Sequence, residues 1–347
     1  MNFSRVTIGR RRAAAGLLWA CLASPALCGE APPTDAPPVC AGRDLTREAA
    51  LHPDALASAN AERRDELDNA QGLLWRIDKP PAAPSYLFGT IHSTDDRAIA
   101  LAKAAAVHIA GASVVATEIG GPFDAYAQAE MGAAIMVKAL AREGDTLTGL
   151  GSPDDVALVE KYLAGRGVGA DIAHHLRLWF LAALSAAPAC ETQRQQRALP
   201  IVDGFIAETA KTLGVKVVGL ETAEEQTDIL SSLDPALAGN ALVSAARRPD
   251  LTDDVYATLL ALYAEGRPGD IFAIVDASQI LTPQESAAED EMTRRLLGDR
   301  NKIMAERMAP LLAAGGAFVA VGALHLVGKG GLIELLRAEG FVVTAER

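Results

Sequence analysis

Two segments of this chain share a pattern that can do chemistry: Ser85-Tyr-Leu-Phe-Gly89-Thr-Ile-His92 and Ala317-Phe-Val-Ala-Val-Gly322-Ala-Leu-His325. Each is an apolar run that meets a glycine and then, after two more residues, a histidine. Imidazole titrates nearest neutral pH of the common side chains and is the commonest protein ligand for metals. Taken singly, a histidine after a strand is an ordinary core or capping residue. The repetition points to a shared site. Two further apolar runs end in carboxylates: Ala112-Ser-Val-Val-Ala-Thr117 runs into Glu118, and Val215-Lys-Val-Val-Gly-Leu220 runs into Glu221. A lone glutamate there is a helix cap. Two imidazoles with one or two carboxylates form a common ligand set for a divalent transition metal. The glycines have a physical part beside each histidine, because a residue without Cβ permits close backbone approach or positive φ where the chain leaves the strand.

These residues need elements that bring them together. Gly72–Ile77 and Tyr86–Ile91 read as strands of a hairpin, joined through the turn Lys79-Pro-Pro-Ala-Ala-Pro84. Helical periodicity covers 45–67, 98–110, 122–142, 153–164, 172–187 and 202–213, and returns through most of 223–312. The strands at 112–117, 215–220 and 317–322, a helix from Leu332 and a terminal strand at 341–344 complete the pattern. Short apolar strands alternating with helices predict an α/β fold: a mostly parallel sheet with crossover helices, and a helical cap made of two insertions, 122–198 and 223–312. In such sheets ligands bind beyond the carboxyl ends of the strands. His92, Glu118, Glu221 and His325 would then converge on one crevice.

Composition sets outer bounds. The chain has 347 residues, half of them hydrophobic, and a formal net charge of -12. That acidity argues against a nucleic-acid partner, since binding phosphates requires clustered Lys and Arg. Arg5, Arg10, Arg11 and Arg12 precede an apolar stretch from Ala13 to Ala23, and small residues follow it. This reads as a secretory signal peptide over 1–28, with a flexible Pro- and Ala-rich leader over 29–44 and one domain over 45–347. No other run is long and charge-free enough for a membrane span. Export, to the periplasm or beyond, leaves Cys40 and Cys190 as a lone pair. In an oxidising compartment such a pair predicts a disulfide pinning the N-terminal arm to a central segment.

Other candidates are weaker. His174 and His175 sit on a helical pattern, where neighbours point about 100° apart, so they cannot serve one site. His52 and His108 read as surface or core. Arg300-Asn301 reads as part of a solvated helix face. Gly328-Lys-Gly-Gly331 lacks the spacing and the Ser/Thr of a nucleotide loop, although its amides could face an anionic group at a helix start. Ser93 and Ser113 are not in a nucleophile-elbow context.

Taken together, Leu74-Trp75, Ser85 to His92, Thr117-Glu118, Asp203-Gly204, Val215 to Gln226, Arg300-Asn301 and Val321 to Gly328 resemble the TraB/GumN family, which also includes PrgY and the Tiki proteins. The resemblance implies a fold like the EreA/ChaN group. It also implies a metal-dependent protease activity, with His92, Glu118 and His325 as metal ligands and Glu221 and Arg300 as neighbours in catalysis. The expected protein is a secreted or periplasmic metal-dependent hydrolase, a peptidase first of all, holding manganese, cobalt or zinc. Glu118 is the expected ligand, Glu221 a ligand or general base, and Arg300 a partner for developing negative charge. Its substrate would be a peptide or small molecule. Two rivals stand beside this: a metal-free His/Glu hydrolase of the esterase type, and a non-enzymatic protein that binds haem or sequesters a peptide.

Overall fold

The fold is seen in a computed structural model that describes residues 36–63, 67–121, 125–278 and 291–346. The expected signal peptide and residues 29–35 of the expected leader lie outside these residues. Six strands form one sheet: β1 Leu74–Asp78, β2 Ser85–Thr90, β3 Val114–Ile119, β4 Val217–Glu221, β5 Ala317–Gly322 and β6 Val342–Ala345, in the order β4-β3-β5-β2-β1-β6. The strands β4, β3, β5 and β2 are parallel. β1 pairs antiparallel with β2 as the expected hairpin and also antiparallel with β6, so the sheet is mixed rather than parallel throughout.

Both faces of the central strands are covered, which is why β2 and β5 are buried almost continuously instead of at alternate residues. On one face lie α3 (Asp96–Ala105) and α9 (Val202–Thr212), whose Ile99, Ala102, Val202 and Ile206 pack on Phe88, Val115 and Phe318. On the other face, α14 (Arg300–Ala314) and α15 (Leu332–Ala338) set Met304, Met308, Leu332 and Leu336 against Leu87, Val319 and Val321.

The remaining helices gather away from the sheet. α4 (Ala125–Ala139), α5 (Pro153–Ala164), α6 (Ala170–Ala173), α7 (Leu178–Ala186), α10 (Ala223–Ser231) and α11 (Pro235–Arg247) contribute to one apolar cluster around Trp179. A smaller cluster joins α1 (Leu45–Ala50), α12 (Pro249–Ala264) and α13 (Ile271–Ala277). The single helix expected over 45–67 is two, α1 and α2 (Pro53–Glu62), broken where Pro53 has no N–H to continue the first. α8 (Ala189–Gln196) carries Cys190, and the Cys40–Cys190 disulfide is present, with Cα atoms 5.3 Å apart.

Candidate functional site

The strand order sets the four anticipated residues side by side. Along the carboxyl edge, β4 ends in Glu221, β3 carries Glu118, β5 leads to His325 and β2 leads to His92. The two Gly-x-x-His segments are neighbours in parallel register, with Gly89 opposite Val321 and Thr90 opposite Gly322. Glu118 lies within β3 rather than beyond it.

Each glycine is explained by close approach and neither by positive φ. A Cβ on Gly89 would stand 2.9 Å from Cα and Cβ of Ala323, the first residue of the short turn Ala323–Leu326 that bears His325. A Cβ on Gly322 would stand 3.0 Å from Glu118 Oε1. Gly322 itself is extended, with φ of -50°.

Glu118 and Glu221 are buried and share one guanidinium. Arg300 Nη2 donates to Glu118 Oε2 and to Glu221 Oε2, each at 2.7 Å, and Arg300 Nε lies 3.0 Å from both Glu221 oxygens. Gln226 Nε2 donates to Glu221 Oε2 at 3.1 Å and to Glu118 Oε2 at 3.3 Å. The sequence after Glu221 accounts for that placement. Thr222 caps α10 and forms a capping box with Glu225, which starts the helix at once and turns Gln226 back over the strand ends. Burial alone would raise the Glu118 carboxyl. Arg300, then His325 and His92, and the Gly322 amide at 2.7 Å overcome it and hold Glu118 well below the usual carboxylate range.

His325 is buried, and its tautomer follows from its neighbour. Asn301 Nδ2 donates to Gly330 O at 2.9 Å, so Asn301 Oδ1 faces His325 Nδ1 at 2.6 Å and that nitrogen carries the proton. Burial, and then the Arg300 charge, lower the imidazole to about 3. It is therefore neutral at pH 7, with the Nε2 lone pair 3.6 Å from Glu118 Oε1.

His92 is the more open histidine, its side chain 17% exposed. Asp203, in the first turn of α9, sets Oδ2 2.9 Å from His92 Nδ1, off the line of a straight hydrogen bond, and accepts from Thr90 Oγ1 at 2.7 Å on its other oxygen. Tyr263 OH donates to Gly89 O at 2.7 Å and braces the strand end from beneath.

The structure thus gathers His92, Glu118, Glu221, Arg300 and His325 on one edge. The helix-face reading of Arg300-Asn301 is overturned: both are buried, at 3% and 2% exposure, because α14 lies across the strand ends and not in solvent. The anion-binding reading of Gly328–Gly331 loses two of its donors, since the Gly328 amide binds Asp68 O and the Gly331 amide binds Gly328 O. His174 lies apart and pairs with Glu160 at 2.6 Å. Asp203 and Gln226 took no chemical role in the sequence reading. Their signal was membership of the segments that carry the family resemblance, Asp203-Gly204 and Val215 to Gln226.

For a metal the donor chemistry fits. His325 Nε2 and Glu118 Oε1 are two acceptors set face to face, the arrangement a shared cation resolves. Each imidazole has an oxygen beside Nδ1, Asn301 Oδ1 hydrogen-bonded to His325 and Asp203 Oδ2 at 2.9 Å from His92, where metal-bearing histidines commonly carry one. Among the described residues no three His, Cys, Asp or Glu groups come close enough to enclose one ion. The edge explains this. Three strand spacings separate β4 from β2, about 14 Å, so only the central pair, Glu118 and His325, is in near contact, with His92 on the next strand.

The sequence profile of the TraB/PrgY/gumN family matches residues 73–345, which takes in all six strands. The chain belongs to the TraB/PrgY/gumN family. Its relatives include human metalloprotease TIKI1, 25% identical over 348 residues, covering 86% of this chain and 66% of the human protein. Zebrafish (Danio rerio) metalloprotease TIKI2 is 28% identical over 176 residues, covering 44% of this chain and 34% of that protein. The chain thus spans less than two thirds of the length of either relative. No solved structure matches it.

Proposed function

We infer that this TraB-family protein is a metal-dependent hydrolase of peptide bonds, acting outside the cytoplasm on a fold of the EreA/ChaN kind. The observation that carries the reading is the pair of facing acceptors, His325 Nε2 and Glu118 Oε1, held 3.6 Å apart in a buried setting where Glu118 stays ionised and His325 stays neutral. The names of the TIKI relatives agree with it. His325 and Glu118 would hold the ion with His92 as the third donor; manganese, cobalt and zinc all suit that set. When bound, such an ion supplies Lewis acidity toward water and the scissile carbonyl.

The chain's own groups have separable tasks in this reading. Asn301 fixes the His325 tautomer. Asp203 orients His92, the member nearest solvent, as the third donor. Arg300 keeps Glu118 ionised and turned toward His325. Glu221 has both oxygens engaged by Arg300, so it anchors the guanidinium rather than serving as the general base. The Cys40–Cys190 disulfide supports a periplasmic or secreted location, since such bonds persist in oxidising compartments. Among the described residues no helix is long and apolar enough to cross a membrane.

A second reading is favoured by the wide spacing along the edge. A metal-free hydrolase would use the Asp203–His92 pair as base. Element analysis of protein purified without added metal decides between them. The metal reading expects about one divalent ion per chain, lost in both His92→Ala and His325→Ala. Metal content unchanged by either substitution, or peptide cleavage that survives chelation, favours the second.

A further inference from the structure

Immediately after His92 the chain enters a buried polar network that the chemistry above leaves unexplained. Ser93 and Thr94 are 0% and 3% exposed. Glu191 of α8, itself 1% exposed and 97 residues from Thr94 in sequence, grips Thr94 directly and reaches Ser93 through Tyr256. Glu191 Oε1 accepts from the Thr94 amide at 2.9 Å and Oε2 from Thr94 Oγ1 at 3.0 Å. Tyr256 OH donates to Glu191 Oε2 at 2.7 Å, and Gln195 Nε2 donates to Oε1 at 3.0 Å.

The hydrogen bonds then run in one direction. Burial, and then the Glu191 charge, push the Tyr256 phenol well above its usual value, so it remains a donor. With its O–H directed at Glu191, Tyr256 oxygen accepts from Ser93 Oγ at 2.7 Å. Ser93 Oγ in turn accepts from the Asp95 amide at 3.0 Å. Arg194, on the same helix as Glu191, closes the far side by donating to Thr94 Oγ1 at 2.7 Å and to Thr94 O at 3.0 Å. The partners of Glu191 are four uncharged donors. Burying a carboxylate among neutral groups is costly, and a hydroxyl pair could have capped this turn. What the charge adds is direction: an acceptor-only group fixes which way every hydroxyl in the chain points. It also fixes both backbone and side chain of the residue two beyond His92.

We propose that Glu191 is a positioning residue of the site, which sets the Ser93–Thr94 turn through Tyr256 and Thr94 and thereby holds His92 in place against Asp203. The neighbouring Cys190, bonded to Cys40, anchors the start of the helix that carries it. The proposal rests on the reading of His92 as a member of the site, but its test does not depend on hydrolysis.

The experiment is NMR of full-length oxidised protein carrying 13C-labelled histidine, with the His92 ring signal assigned through His92→Ala. In Glu191→Ala and in the milder Tyr256→Phe, the His92 signal moves by more than its linewidth or broadens away, while those of His52 and His174 stay put. Glu191→Gln, which keeps an acceptor oxygen for the Thr94 amide, restores at least half of the displacement. A His92 signal unmoved in both Glu191→Ala and Tyr256→Phe overturns the proposal. So does movement of equal size at the distant His52 and His174, which marks general loosening. Tyr256→Phe keeps the test decisive if Glu191→Ala does not fold. A protein that cleaves no peptide yet shows the displacement refutes the hydrolase and leaves the positioning role standing.

Discussion

Arg300 sets its guanidinium between two buried carboxylates, and the protonation of the rest of the edge follows from that placement. It lowers Glu118 against the effect of burial, and adds to the burial that lowers His325, which keeps one anionic and the other neutral. The sign of the resulting pH dependence is fixed for protein stripped of metal. His325 has a folded value near 3 against 6.5 for an ordinary imidazole. The folded state therefore binds fewer protons than the unfolded chain between those limits. Its contribution is full above pH 6.5 and is lost as pH falls toward 3. Glu118 adds to the same arm below about pH 4.5, where the unfolded carboxylate starts to take up protons. Urea unfolding of chelator-treated protein should show stability falling from pH 6.5 downward, by up to about 1.4 kcal/mol per pH unit for one group. His325→Gln should flatten the upper part of that arm and leave the part below pH 4.5. An unchanged profile would mean that His325 takes up its proton as freely folded as unfolded.

At the scale of elements, the turn after β5 and the end of β2 are pressed together more closely than any side chain would allow. A methyl group on Gly322 enters the space next to Glu118 Oε1 and 3.4 Å from His325 Cδ2. Because φ at Gly322 suits any residue, Gly322→Ala should unfold no earlier than the parent by more than about 1 kcal/mol, yet lower metal retention and cleavage at least tenfold, a loss of about 1.4 kcal/mol in the site. Paired thermal melts and metal titrations read the two quantities separately. This division between strand and site also marks how much could be read from residues alone. Apolar runs ending in Gly-x-x-His and in glutamate gave His92, His325, Glu118 and Glu221 and placed them on one edge, because strand direction needs only local pattern. Arg300 could not be found that way. The sequence around it, Asp299-Arg-Asn-Lys302, reads as exposed helix, and only its packing across strands distant in the chain buries it. Asp203 and Glu191 were hidden for the same reason. Each looks like an acidic residue in the first turn of a helix, and its partner lies on a segment far away in sequence.

For the molecule as a whole, the Cys40–Cys190 bond closes a segment of 150 residues that contains β1, β2, β3 and half of the site. Chain-entropy arguments put the stabilisation from so long a loop at about 5 kcal/mol as an upper figure, with roughly 2–5 kcal/mol usual on removal. The double substitution Cys40→Ser, Cys190→Ser should therefore shift the urea midpoint down by a corresponding amount. The arm should stay docked, since Arg43 still binds Asp254 at 2.7 Å and the Leu45 amide still binds Thr258 Oγ1 at 2.9 Å. Loss of all protection from proteolysis around residue 40 in that variant would show that the arm depends on the covalent bond. The strand order carries one more consequence, and it concerns timing. β5 sits between β3 and β2, although it is made long after both. Until it slides into that gap, Glu118 has lost its Gly322 amide and His325 is absent from its side. A chain synthesised from its N-terminus thus carries an incomplete edge until β5 arrives. Insertion of β5 is a long-range and intrinsically slow pairing. The sheet itself thus delays completion of the edge until β5 is in place.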